Sequence, residues 1–433
     1  MTTSTFRRKE SSSVRTFEKF GVYGDELGPF ATFCAQAVVF VGMLIAFPAI
    51  KDIPGQLPYV LLMSAVGVMF LAPRNAVKKM PFSVSLTAFL GLIVLSVIWS
   101  HNVTGTIFDL QRRVPLIISF SIVAGLLKFE DLSKALIWSI RFALLATILA
   151  VSIDPATREH ISEAQYGDEN LPGWHGWYAH KNFMAPFFGF GAMTVAMFDR
   201  NKWTRWPTVL GLTFMIFMSD SRTGLFAFVL MLGVWWWLEH FSQLDDRNGV
   251  MFFVSTFGLG LLAIIGGVAS ISAVTGAAGK DASLSGRTDI WASTFEAFLE
   301  RPFLGYGLNG LFWSEPLLPR TADLWRSIGF EASHAHQGIL DIGAELGIVG
   351  CVLFMAMFYS TFGAGWKMIK TNRKVGVWIV AIMVGQLFMS LSENVLTGSW
   401  IVMMVLFRLA TIRRNGMEFP ERGTKARSSW VLP

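Results

Sequence analysis

The stretch Ser333–Gly350, SHAHQGILDIGAELGIVG, begins with two histidines and then places two acidic residues in an apolar segment that continues to about residue 360. Such a segment is long enough to cross a membrane, which takes roughly 20 mostly apolar residues. A carboxylate in hydrocarbon is costly, so acidic residues in a span usually face the protein interior or a wet cavity. On a helix that includes residue 337, Gln337, Asp341 and Glu345 would share one face. The sequence therefore predicts a membrane helix with a polar stripe at one end.

The composition extends this prediction to the whole chain. Its 433 residues are 53% hydrophobic and only 15% charged, whereas a soluble domain is nearer a quarter charged. We therefore expect an all-α, polytopic integral membrane protein. The apolar runs predict twelve spans, near residues 30–48, 57–72, 82–100, 114–127, 135–153, 183–198, 206–219, 223–241, 250–274, 337–360, 375–392 and 395–412.

The basic residues predict the orientation of these spans. If the N-terminus lies inside, most lysines and arginines in the short connections between spans fall on inward segments, as the positive-inside rule requires. The short outward loops hold only Lys51, Arg112, Arg113 and Arg222. The net charge of +6 is thus explained by membrane orientation, and no nucleic-acid partner is implied.

The predicted organisation is one transmembrane domain, 30–412, between cytosolic tails at 1–29 and 413–433. Two outward loops are long, about 154–181 and 275–335. The larger one contains GRTDIWASTFEAFLERP, in which apolar side chains recur at helical spacing until Pro302. This pattern predicts an amphipathic helix at the outer membrane surface, with the apolar residues Trp291, Phe295, Phe298 and Leu299.

The candidate functional residues collect on the outward side. Arg222 lies in the tight turn SDSRTG, and Arg287 precedes the amphipathic helix. His334 and His336 precede the tenth span, and Glu393 caps the eleventh. The stretch Gly173–Asn182, GWHGWYAHKN, adds Trp174, Trp177, His180 and Lys181.

Several of these residues also have plainer interpretations. Trp174 and Trp177 fit an interfacial aromatic belt as well as a sugar platform. Arg112 and Arg113, which would begin the fourth span, could bind lipid headgroups. Arg141 lies close enough to the cytosolic end of the fifth span to reach the interface, so we assign it no role. Gly343, Gly347 and Gly350 predict a face for close helix packing.

The two histidines raise the question of a metal. On a helix, residues two positions apart do not share a face, so His334 would point away from His336. No third ligand stands at motif spacing, and metal binding is therefore the weaker interpretation.

These groups suggest a chemistry at the membrane surface. Arginine matches phosphate oxygens through its planar, permanently charged fork, so two outward arginines could hold a diphosphate. An imidazole titrates near neutral pH and can accept a proton from an attacking hydroxyl. The acidic stripe would orient the histidine or bind sugar hydroxyls in a wet pocket.

These residues resemble the O-antigen ligase-like superfamily of bacterial envelope glycosyltransferases, which includes O-antigen ligases and Wzy-type polysaccharide polymerases. The most specific likeness is the pattern of His, then Asn, Ser or Gln, nine residues, Gly, two residues and Gly. It is met by His336, Gln337, Gly347 and Gly350. The SRTG turn, the segment SGRTDIW…RPFLGYGLNG and HKN at 180–182 are also similar to the family, and the resemblance covers roughly 173–398.

The resemblance implies roles for these residues. Arg222 and Arg287 would bind the diphosphate of a polyprenyl-linked glycan donor, and His336 would activate the acceptor hydroxyl of a glycan or lipid-linked acceptor. From their outward position, and not from the resemblance, His180, Lys181, His334 and Glu393 are expected to be further substrate contacts. The implied enzyme has a GT-C-like fold in the bacterial cytoplasmic membrane and is metal-independent and inverting, with no cofactor.

The resemblance does not separate a polymerase from a ligase, although WYAHKN is somewhat more similar to exopolysaccharide polymerases. A lipid-linked sugar transporter or flippase of the same topology remains the alternative from another class. Transporter sites usually lie near the membrane midplane, whereas the polar residues here cluster outside.

Overall fold

A computed structural model describes residues 22–23, 26–46, 55–74, 77, 84–161, 170–178, 180–241, 287–329 and 331–391, and these are mostly helical. In chain order the helices are α1 (Pro29–Ala46), α2 (Leu57–Leu71), α3 (Val84–Leu95), α4 (Val103–Leu126), α5 (Phe129–Ile153), α6 (Lys181–Phe198), α7 (Lys202–Met218), α8 (Arg222–Phe241), α9 (Arg287–Glu300), α10 (Pro319–Ile328), α11 (Gly338–Thr371) and α12 (Arg373–Met389).

Two short antiparallel hairpins accompany the helices. Strand β1 (Val22–Tyr23) pairs with β2 (Glu26–Leu27) just before α1. Strand β3 (Glu159–Ile161) pairs with β4 (Asn170–Pro172) in the region between α5 and α6. The second hairpin therefore leads the chain into the GWHGWYAHKN stretch.

Each predicted span that falls within the described residues coincides with a helix; the spans at 250–274 and 395–412, and the tail 413–433, lie outside them. Within the described residues α1, α5 and α11 are long and apolar enough to cross a membrane, and α2 and α3 are shorter apolar helices. Large apolar side chains also point outward, such as Met63 at 69% and Phe70 at 82% exposure. Such apolar surface fits acyl chains better than water, and the molecule is a mostly helical membrane protein.

Helix α4 differs from its predicted bounds. It begins at Val103, not near residue 114, so Arg112 and Arg113 lie inside the helix and not in a loop before it. Two local contacts explain the longer helix. The Asn102 side chain accepts a hydrogen bond from Gly105 N and caps it, and Arg113 pairs with Asp109 at 2.8 Å one turn earlier. Capping and i,i+4 ion pairs both stabilise a polar first stretch of helix.

The relation between α8 and α12 fixes which helix ends lie together. Arg373, at the start of α12, donates to the carbonyl of Leu238 near the end of α8 at 2.7 Å. Further along, Gly385 lies against Met231, so the two helices run antiparallel. Just beyond α12, Ser390 O accepts a bond from Gly338 N at 2.8 Å. The beginnings of α8 and α11 therefore lie at one end of the bundle, which we call the histidine end.

The long helix α11 is broken at Gly347, where φ is 65° and ψ is −165°. The backbone of residues 302–307 is inserted at the break. Tyr306 N and Gly307 N donate to Ala344 O and Glu345 O, at 2.9 and 2.8 Å. In an unbroken helix those carbonyls would accept from residues 348 and 349, whose N–H groups instead bond to Pro302 O and Phe303 O.

The break corrects the prediction for the glycine face. A Cβ at Gly347 would stand 2.1 Å from Phe303 O, and one at Gly305 would stand 2.4 Å from Ala344 O. Gly347 thus admits the loop backbone, and its left-handed φ suits glycine. Gly343 does face another helix, since its Cβ would meet Phe298 of α9 at 3.3 Å.

The same loop rests on the connection between α3 and α4. His101 N donates to Tyr306 O at 3.0 Å, and Trp99 Nε1 donates to Leu304 O at 2.9 Å. Glu315 N donates to His101 O at 2.8 Å. The early helices, which carry no motif of their own, therefore support the loop that enters α11.

Candidate active site

The turn before α8 and the start of α6 form one corner of the histidine end. Ser221 donates to the Asn182 side chain at 3.0 Å, and Lys181 lies 3.9 Å from Asp220. Helices α6 and α8 can approach here because Gly224 has no side chain; a Cβ there would stand 2.5 Å from that of Ala185. The HKN and SRTG segments, which the sequence places 40 residues apart, thus meet in space.

The corner concentrates positive charge. Arg222 is the first residue of α8 and is exposed, and within the described part of the chain its guanidinium has no ion-pair or hydrogen-bond partner. Burial lowers the pKa of the Lys181 ammonium, which precedes the predicted span, and the charge of Arg222 lowers it further against the opposing effect of Asp220. Two neighbouring cations of this kind attract an anion.

His180 and the two tryptophans shape this corner. His180 caps α6, since its Nδ1 accepts a bond from Asn182 N at 3.0 Å. Trp174 packs edge-on against Phe214 at 6.0 Å. Trp177 is 43% exposed, so its ring is accessible to either lipid or sugar, and both interpretations stay open.

The histidine segment, residues 334–337, lies before α11 and is not helical. His336 adopts a left-handed φ of 52°, which is uncommon for a residue with a side chain. The predicted separation of the two histidines is wrong for this reason. The rings of His334 and His336 lie side by side, with centroids 4.0 Å apart and a 40° tilt.

Gln337 also departs from its predicted position. Helix α11 begins at Gly338, and Gln337 is its N-cap, with a side-chain oxygen that accepts a bond from Leu340 N at 2.5 Å. Its φ of −153° takes it off the helical face. The stripe therefore consists of Asp341 and Glu345, because the helix begins one residue later than the pattern predicted.

Both carboxylates of the stripe bond to backbone N–H groups. Asp341, only 2% exposed, accepts from Ala335 N at 2.6 Å. Glu345 accepts from Asn309 N at 3.2 Å through one oxygen, while its other oxygen is buried and has no hydrogen bond among the described residues. Asp341 thus faces the histidine segment, and Glu345 faces the inserted loop.

A second polar group surrounds Glu345. Asn309, with a φ of 57°, donates from its side chain to Asp109 at 2.8 Å, and Asp109 also pairs with Arg113 at 2.8 Å. This cluster joins α4, the inserted loop and α11. Sequence analysis missed Asn309 and Asp109; the signal was the repeated glycine in GYGLNG, which indicates tight backbone and not a helix.

Helix α9 lies against the first half of α11. Trp291 donates from its indole nitrogen to Ala335 O at 2.9 Å, so the first turns of α9 touch the histidine segment. The helix ends before Pro302, as predicted. Phe295 and Leu299 are exposed, but the side that packs inward is built on Ile290 and Ala297, both 0% exposed.

Two candidate residues lie partly or wholly beyond the described structure. Arg287 begins α9, but its side chain lies outside the described part, so the predicted approach of the Arg222 and Arg287 guanidinium groups stays a prediction. Glu393 lies outside the described residues. Among the described residues, no group of three or more His, Cys, Asp or Glu side chains could hold a metal ion.

Comparisons with known proteins give similarities over the region of this site. Residues 207–355 match the family described as O-antigen ligase. The exopolysaccharide production protein ExoQ of Rhizobium meliloti is 20% identical over 302 residues, which are 66% of this chain and 66% of ExoQ. A protein of Rickettsia conorii named "Putative polysaccharide ligase" is 31% identical over 81 residues, 18% of this chain and 19% of its own.

Both matches cover less than two thirds of the relatives' own lengths. The family match, however, includes Arg222, the start of α9, the inserted loop and the whole histidine segment. The segment that carries Arg222, Arg287 and His336 therefore lies within the match to the O-antigen ligase family.

Proposed function

We propose that this protein is a glycosyltransferase that polymerises repeat units of exopolysaccharide or O-antigen from a polyprenyl-diphosphate-linked donor. It would act in the bacterial cytoplasmic membrane, with twelve spans, both termini in the cytosol and the histidine end outside. The observation that carries the proposal is an exposed Arg222, without an ion-pair partner among the described residues, beside Lys181 at the same end of the bundle as the left-handed His336.

The reaction needs an anion site and a base on opposite sides of the sugar. Arg222 and Arg287 bind the diphosphate, and their charge stabilises the leaving group as negative charge develops. His336 takes the proton of the acceptor hydroxyl while the oxygen of that hydroxyl bonds to the anomeric carbon of the donor sugar. The bond from that carbon to the phosphate oxygen breaks, and polyprenyl diphosphate leaves with the electron pair.

A single displacement of this kind inverts the anomeric centre. The arginines supply the positive charge that a divalent cation supplies in many other phosphate sites, so the reaction proceeds without a metal. The bond from Gly338 N to Ser390 O just after α12, and the packing of α12 against α8, support one shared outward pocket.

The second candidate is an O-antigen ligase that transfers the glycan to lipid A-core or another acceptor. The name of the Rickettsia relative favours it. The polymerase is preferred because the longer match, over 302 residues, is to a protein named for exopolysaccharide production. A flippase or transporter is disfavoured because the polar groups lie at one end and not at the midplane.

The test is a reconstituted reaction with purified full-length protein in detergent and lipid-linked repeat units. A polymerase gives a ladder of lengthened lipid-linked chains, and a ligase needs a separate acceptor and gives a single transfer. A transporter gives no new glycosidic bond in detergent. The anomeric configuration of the product, and turnover in a chelator, test the inverting and metal-independent mechanism.

A further inference from the structure

Ala335, between the two histidines, is held through both of its peptide groups. Its N–H donates to Asp341 at 2.6 Å, and its carbonyl accepts from the Trp291 indole at 2.9 Å. The residue is 0% exposed, so both groups are shielded from solvent. The two bonds come from different helices, α11 and α9.

The residue that follows needs such support. His336 has a φ of 52°, and a residue with a side chain persists in this region only when its surroundings determine the backbone. The chain then turns into α11 through the Gln337 cap, so His336 is fixed on both sides. The direction of its imidazole depends on this backbone conformation.

We infer that Trp291 and Asp341 are positioning residues for His336, holding its backbone left-handed so that the imidazole faces the acceptor hydroxyl. This inference rests on the proposed function, in which His336 is the base. Of the two roles predicted for the acidic stripe, it gives Asp341 the orientation of the histidine, exerted through the Ala335 backbone, and not the binding of sugar hydroxyls. It gives Trp291 a role beyond membrane contact.

The position of Trp291 adds a second consequence. It stands one turn after Arg287 on α9, so the same indole ties the helix that carries the arginine to the segment that carries the base. This bond thereby fixes the position of the proposed diphosphate site relative to that of the proposed base. A misplacement of about 1 Å in a reacting group can cost 10²-fold in rate.

Asp341 can be tested by a pair of substitutions with different predictions. In Asp341→Asn the amide oxygen can still accept the Ala335 N–H bond, whereas Asp341→Ala cannot. We expect Asp341→Asn to keep most of the wild-type kcat and Asp341→Ala to lose about ten- to a hundredfold, with the KM for the lipid-linked donor unchanged. If both variants lose activity equally, the charge of Asp341 matters and the positioning role is wrong.

Trp291→Phe removes the indole donor and keeps an aromatic ring. The matched control is Trp325→Phe, because Trp325 donates in the same way to Ala332 O at 3.1 Å, in the same stretch but further from His336. We expect kcat to fall in the first variant and to remain near wild type in the second. Equal effects, or none, would overturn the assignment.

A readout independent of turnover separates this inference from the proposed function. Diethyl pyrocarbonate modifies accessible imidazoles, and the rate at His336 can be followed by peptide mass spectrometry on protein shown to be folded by its thermal transition. The rate should rise severalfold in Asp341→Ala and Trp291→Phe, but not in Asp341→Asn or Trp325→Phe. Unchanged rates in folded variants would overturn the positioning role, while full turnover by His336→Ala would instead refute the base.

Discussion

Arginines at the two ends of the bundle are held very differently. At the end opposite the histidines, Arg141 pairs with Asp199 and bonds to Thr204, and Arg373 pairs with Glu239 at 3.2 Å. At the histidine end, Arg222 is exposed beside another cation, Lys181. Paired charges of the first kind hold helices together, whereas clustered like charges are costly unless an anion joins them. We propose that the difference separates structural arginines from a ligand site.

The largest effect that this comparison predicts concerns His336, the proposed base at the histidine end. His336→Ala should lower turnover by about 10²–10⁴-fold, the usual contribution of a general base, and leave insertion and donor binding intact. His334→Ala should be milder, because His334 supports its neighbour's ring but lies outside the family pattern. Steady-state turnover of the two purified variants measures this. Comparable losses in both would mean that the adjacent rings act as one unit.

Arg222 and Arg141 should respond oppositely to removal. Arg222→Ala should raise the KM for the lipid-linked donor about 10- to 10²-fold, because hydrogen bonds to charged groups contribute roughly 1.5–3 kcal/mol, with little change in thermal stability. Arg141→Ala leaves the Asp199 carboxylate without its arginine and should lower the unfolding temperature while folded protein keeps its KM. A stability loss in Arg222→Ala with unchanged KM would erase the distinction between the two ends.

Alanine substitutions at two glycines of α11 distinguish the glycine that admits the inserted loop from one on an ordinary stretch of helix. Gly347→Ala places a Cβ 2.1 Å from Phe303 O in a conformation that costs roughly 1–3 kcal/mol for other residues, so the unfolding temperature should fall. Gly363, on the same helix, has nothing within 4 Å of its Cβ position. Gly363→Ala should therefore stabilise slightly, by about 0.5–1 kcal/mol of helix propensity. Thermal unfolding in one detergent compares them directly.

The smallest effect is a pH dependence of the stability that Glu300, the last residue of α9, contributes. Hydrogen bonds from Tyr306 and Arg320 lower the pKa of Glu300 from its usual 4.5. Because the pKa of Glu300 is lower in the folded protein than in the unfolded chain, these bonds stabilise the folded state fully above about pH 4.5. Their contribution is lost as the pH falls through the pKa that Glu300 has in the folded protein. The gap in unfolding temperature between wild type and Glu300→Gln should accordingly be constant at neutral pH and close in acid. A gap that widens in acid would contradict this.

Hydropathy predicted the helices well because burial in lipid selects long apolar runs wherever they occur. It failed where polar residues extend a helix beyond the apolar run, as at Val103–Arg113 in α4. It also failed at Gly347, because the break depends on residues 302–307, which are distant in sequence. Periodicity describes one segment at a time and cannot reveal that another segment enters its hydrogen-bond ladder.

The sequence was enough to propose which residues form the candidate site, but not which of them contact each other. Arg222, His336 and the HKN segment were identified by charge and pattern, and the meeting of HKN with the SRTG turn followed from neither. The stripe lost Gln337 because capping residues sit off the helical face. The bonds to Ala335 had no sequence signal, since alanine carries no chemistry and only its backbone is used.

The central claim is that Arg222 and Arg287 hold one diphosphate, and a double-mutant cycle on donor binding tests it most directly. Binding of the lipid-linked donor to purified wild type, Arg222→Ala, Arg287→Ala and the double variant would be measured at one ionic strength. Arginines on the same diphosphate are coupled, so the double variant should lose at least 0.5 kcal/mol less than the sum of the single losses. Additive losses, or a single variant that binds as tightly as wild type, would contradict a shared diphosphate site.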